Sequence, residues 1–178
     1  MPNFFEKVYV MKLLIFLALI TASLPSYAQS SPHKHQHHQH GKGVLEIVVE
    51  GKILSGILEM PLEALLGFEH APKTSKEKIA QSKLETRLSS IDAWLEINSE
   101  TQCLPGPPQV KLERDAQAKH SDLLYTFSYT CANPSALREI RILFFKEYPN
   151  IKEIKVEVAS PKGQRLIMAT PKSPIIRF

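Results

Sequence analysis

Ile154-Lys155-Val156-Glu157-Val158 is the stretch that decides the fold of this chain. Branched apolar side chains alternate with charges at a period of two, the mark of a strand with one buried and one wet face. Upstream of it, Ile140, Ile142 and Phe144 alternate with Arg141, Leu143 and Phe145, and Tyr148-Pro149-Asn150 turns the chain between the two runs. Downstream, Pro161-Lys162-Gly163 makes another turn, Arg165 to Thr170 returns, and Ile175 to Phe178 forms a last short strand. Leu123 to Thr130 is rich in aromatic and β-branched residues and reads as a strong strand closed by Cys131. Gln109 to Arg114 also alternates. Val44 to Val49 and Ile53 to Met60 flank Glu50-Gly51-Lys52 as a hairpin, which Pro61 ends because proline cannot donate to a ladder.

Short strands joined by Gly, Pro and Asn turns predict mostly antiparallel pairing. Leu62 to His70 is a mostly apolar connector holding one helical turn, stopped at Gly67. Thr74 or Ser75 then caps a helix with Glu77 and Lys78 in its first turn. Ile79, Leu84, Leu88 and Ile91 lay an apolar stripe along it. Ala93 to Ile97 favours a short strand. The expected fold class is α+β: a mostly antiparallel, meandering β-sheet with one long covering helix and a disordered His-rich N-terminal arm.

The chain of 178 residues is 43% hydrophobic and 22% charged, which suits one globular domain behind a processed leader. Lys7 and Lys12 precede the apolar run Leu13 to Ile20, and Ser26-Tyr27-Ala28 offers small residues at a cleavage site. These features predict a signal peptide over residues 1–28 and a periplasmic mature chain. Residues 29–43 are read as a flexible arm and residues 44–178 as a single domain, with no membrane span in the mature chain. A net charge of +4 without a Lys/Arg block and interleaved aromatics argues against a nucleic-acid partner. Cys103 and Cys131, an even count in an exported chain, are expected to form a disulfide worth about 3 kcal/mol. A monomer is expected.

The arm holds His33, His35, His37, His38 and His40, five of the chain's seven histidines. No aliphatic residue lies between Ser30 and Lys42, so this tract serves no core. Neutral imidazoles ligate zinc and also suit copper and nickel, and dense histidine tracts point to metal binding. His33 and His37, or His35 and His38, would share a face of a transient helical turn. Several interconverting sites of modest affinity follow. A solubilising linker is the bland alternative. In the domain, His70 stands beside Glu69 and His120 lies near Asp122; a carboxylate can orient a ligating imidazole or bind the metal itself. If those two loops met, His70, His120 and a carboxylate would form a three-ligand site. No His-Glu-x-x-His, Gly-x-Ser-x-Gly or Cys/His nucleophile pair occurs, so no catalytic residue and no enzyme is expected.

Leu66-Gly67-Phe68-Glu69-His70-Ala71-Pro72, His120-Ser121-Asp122 leading into Tyr125 to Cys131, and Leu143 to Pro149 ahead of Gly163-Gln164 resemble the ZrgA-like family. The resemblance runs from the arm to the C-terminus, and Gly67 to His70 is its most specific piece. It implies a periplasmic zinc-binding accessory protein that assists a zinc ABC transporter, with its solute-binding protein or permease as partner. It implies Zn²⁺ over other divalent transition metals, a choice the tract leaves open; copper or nickel sequestration, or metal buffering without delivery, is the alternative. Unlike many members, the chain has no histidine between Leu104 and Lys119. The arm is then the main collecting site.

Overall fold

The computed structural model describes residues 40–115 and 120–178. The leader and the tract from His33 to His38 fall outside the described residues. Strands β1 (Lys42–Glu50) and β2 (Ile53–Pro61) form the hairpin expected around Gly51. Helix α1 (Leu62–Leu66) stops at Gly67, whose φ of 82° lets its N–H reach Glu63 O at 2.8 Å. A side chain at that angle would be strained, which is why glycine ends the turn. Helix α2 (Ser75–Leu88) opens on a capping box, with Glu77 N–H donating to Thr74 Oγ1 and Thr74 N–H donating to Glu77 Oε2. Then come β3 (Leu95–Ile97), β4 (Cys103–Pro105), β5 (Gln109–Asp115), β6 (His120–Cys131), β7 (Glu139–Ile142), β8 (Glu153–Ser160), β9 (Gly163–Ala169) and β10 (Ile175–Arg177).

Seven strands make one sheet in the order β4-β6-β2-β1-β8-β9, with β5 beside β4 on the same flank of β6. A second sheet holds β10-β7-β3. Most pairs are antiparallel, as the turns predict, but the sheet is not a simple meander. β1 pairs with β8 in parallel, Leu45 beside Val156 and Ile47 beside Val158. After β6 the chain leaves the large sheet to add β7 beside β3, re-enters along the free flank of β1 as β8, and adds β10 to the small sheet after β9. Lys152 N–H donates to Gly41 O at 2.8 Å and holds that re-entry in place. Gly41 is buried and β1 starts at Lys42.

Alternation fills the core from both sheets. Leu45, Ile47, Leu54, Leu58, Leu123, Tyr125, Phe127, Ile154, Val156 and Val158 are all buried in one apolar cluster that also takes Ile140, Ile142 and Ile176. Trp94 is its hub. The indole meets Phe144 edge-on at 4.9 Å, stacks on Tyr148 at 5.7 Å, and donates Nε1–H to Arg87 O at 3.1 Å. That bond ties the end of α2 to the core. Burial, then the charge of Asp92, pushes the Tyr125 phenol up to about 12 and raises Tyr129 likewise. Cys103 and Cys131 face each other across the β4–β6 ladder and are joined as a disulfide.

The helix is not the long cover expected. It has 14 residues and buries Leu84 and Leu88, while Ile79 is 56% exposed and Ile91 lies beyond its end in a short 3-10 turn. Its first half carries the cap and not the core. Phe144, read as part of a strand, also sits in a 3-10 turn, where its ring reaches Trp94. No helix among the described residues is long and apolar enough to cross a membrane.

Gly56 tests the central pairing. A Cβ there would lie 2.5 Å from both Glu46 O and Phe127 Cζ. Gly56→Ala is expected to destabilise the domain by about 1–3 kcal/mol in urea unfolding, because neither the β1 backbone nor the buried ring can retreat freely.

Candidate metal centre

Three histidines belong to the described residues, and all three lie near one end of the large sheet. His40 precedes β1, His120 opens β6, and His70 follows α1. The β2–β6 ladder runs from Ile53 opposite Thr130 to Pro61 opposite Asp122, so the start of β6 meets the point where β2 gives way to α1. The connector from α1 to the start of α2 therefore lies over His120. Ser121 Oγ donates to Glu69 O at 2.6 Å and pins the two segments together.

Helix α1 and that connector together supply an acceptor to every described histidine. His40 Nδ1 lies 3.3 Å from Glu63 Oε2, and His120 Nδ1 lies 3.2 Å from Glu69 Oε2. His70 Nδ1 lies 2.9 Å from the carbonyl oxygen of Ala71. Carboxylates and carbonyls only accept, so a proton on Nδ1 completes each of these contacts as a hydrogen bond. A neutral ring that carries its proton on Nδ1 keeps its lone pair on Nε2. This is the arrangement in which an outer carboxylate or carbonyl orients a metal-ligating histidine. Phe68 stacks on the His70 ring at 5.2 Å and limits its rotation. His70 Nε2 faces Glu77 Oε1 at 3.8 Å.

The structure thus joins some of the expected residues and separates others. It brings Glu69 and His120 together across 51 positions of sequence. Asp122 stands opposite Pro61 in one ladder and Glu113 in the other. His70 turns to Glu77 and does not close a three-ligand set with His120: among the described residues no group of three or more His, Cys, Asp or Glu side chains is placed to hold a metal ion. His33, His35, His37 and His38 lie outside the described residues. Glu63 is a partner that sequence reasoning missed. Its link to His40 spans 23 residues and depends on the β1–β2 hairpin, so no local spacing announces it. Glu77 was legible as a capping residue, and its second task beside His70 was not.

Glu77 is held below the usual glutamate range, chiefly by the N–H groups of Thr74 and Lys73, which favour its charged form, and in smaller part by His70.

Residues 37–178 match the model of the ZrgA family, described as zinc uptake proteins, and the chain belongs to that family. No curated protein matches the chain.

Two measurements check this geometry. Imidazole nitrogen shifts of neutral protein, recorded well above about pH 6.5, should show the Nδ1–H form at His70 and His120, whereas free histidine favours Nε2–H; Glu69→Ala should release His120 alone. For Glu77, a depressed carboxylate contributes stability above its ordinary value of 4.5 and loses it as pH falls through the lowered one. Amide signals of Lys73 and Thr74 should accordingly stay constant down through pH 4.5 and move only below it.

Proposed function

We propose that this chain is a periplasmic zinc-binding accessory protein, exported by cleavage after Ala28, which captures Zn²⁺ through the histidines from His33 to His40. The domain behind them passes the ion to a zinc ABC transporter, through its solute-binding protein or its permease. Zn²⁺ is cargo in this reading, and the protein carries out no catalytic step. The observation that carries the reading is the conjunction of five closely spaced histidines with a domain of a zinc uptake family beginning within that tract, at residue 37. A borderline-soft ion is well served by imidazole, and a tract with several overlapping donor sets exchanges ligands easily, which suits collection and release. His40, His70 and His120, with Glu69 and Asp122 close by, are the residues on the domain to which an arm-bound ion would pass.

Calorimetric titration of the mature chain with Zn²⁺ tests it, beside a variant lacking residues 29–39, a deletion that leaves β1 and Gly41 intact. The full chain should bind zinc with a stoichiometry that drops on deletion. Binding should fail as pH falls through about 6.5, because a protonated imidazole cannot ligate. Undiminished stoichiometry without residues 29–39 would remove the arm from the account, and a preference for copper or nickel in competition would move the protein to sequestration of those metals.

A further inference from the structure

Strand β6 buries every second side chain from Ser121 to Cys131. Leu123, Tyr125, Phe127, Tyr129 and Cys131 in that series all join the apolar cluster, and Ser121, only 4% exposed, breaks it. A hydroxyl buried in such a row must be hydrogen-bonded to be tolerated. Its Oγ donates to Glu69 O at 2.6 Å, across 52 positions of sequence. The residue before it reaches the same glutamate, His120 Nδ1 lying 3.2 Å from Glu69 Oε2. Two successive residues of one strand thus take hold of Glu69, Ser121 by its main chain and His120 by its carboxylate.

The other carboxylate in this region needs no such help. Glu63 lies inside α1, whose backbone is set by the helix and by the αL stop at Gly67. Glu69 belongs to the irregular chain between α1 and α2, and neither a helix nor a strand includes it. The β2–β6 ladder has already ended, with Pro61 opposite Asp122. On the other flank of β6, β5 sets Arg114 opposite Ser121 and Asp115 opposite His120. The Ser121 hydroxyl therefore anchors a main chain that the strand ladder no longer reaches. We propose that Ser121 is the positioning residue for His120: its hydroxyl fixes the main chain of Glu69, the carboxylate of Glu69 then sets the His120 ring, and Nε2 meets an arriving cation in one orientation. The inference rests on the reading that His120 receives zinc.

Ring-nitrogen spectra of the mature chain test it in two steps. In metal-free protein, the His120 signals of Ser121→Ala should move toward those of Glu69→Ala. Those of His40, which leans on Glu63, should stay where wild type has them. Zn²⁺ is then added beyond the capacity of the arm. The wild-type His120 ring should respond, and Ser121→Ala should need about tenfold more free Zn²⁺ for the same response, with His40 unchanged. Ser121→Cys keeps the shape with a weaker donor and should fall between the two. Combining Ser121→Ala with Glu69→Ala should weaken the response little beyond Glu69→Ala alone, because the serine acts through the glutamate. A His120 ring that behaves alike in wild type and Ser121→Ala overturns the inference and leaves the zinc reading standing. So do losses that fall equally on His40 and His120, which would mark a general clasp of the sheet end, or losses from the two substitutions that simply add. A wild-type His120 ring that ignores Zn²⁺ removes His120 from the receiving residues, and the inference with it.

Discussion

The ladder between β2 and β6 is the constraint on which the rest depends. It runs the full length of β2, from Ile53 to Pro61, and sets Leu58 beside Tyr125 and Met60 beside Leu123 on the core side. A slip of one residue would turn those side chains to water and bring the outward residues in, so the buried face locks the register. The same register decides what happens at the far end. Pro61 can neither extend the ladder nor pass β6, and the chain must turn into α1 where β6 begins. The position of His120 beneath Glu69 follows from strand pairing and needs no special loop.

Helix α1 and the connector after it then serve three histidines at once. The carboxylates of Glu63 and Glu69 and the carbonyl of Ala71 each lie within hydrogen-bonding distance of a ring's Nδ1. These contacts are half-exposed, and each adds little to stability on its own. Their effect lies in orientation, because an imidazole with a fixed tautomer meets an incoming cation without first moving a proton. The packing behind the connector is what keeps it steady: Leu62, Ala64 and Leu65 are buried, and Ser121 holds Glu69 from below.

Local order was largely legible in the residues, and long-range order was not. The hairpin around Gly51, the stop at Gly67, the cap at Thr74 and the alternation in β8 each follow from chemistry within a few positions. The parallel seam between β1 and β8 is invisible to such reading, because an alternating strand looks the same whichever way its neighbour runs. Ile79 shows the opposite error. Its spacing fits the apolar stripe of α2, yet the side chain stays mostly in water. Of the metal-related residues, His70, His120 and Glu69 stood out by type and by neighbour. Glu63 did not, since only the folded hairpin carries it to His40.

Glu77 serves two masters. One carboxylate oxygen receives the amide protons of Lys73 and Thr74, and the other looks toward His70. An ion that enlisted this side chain as a ligand would have to draw electron density from the first turn of the helix. Loading at that corner would thus be felt along α2 as fraying or re-seating of its leading end, a mechanical signature that His40 and His120, paired with carboxylates outside any capping box, would not transmit.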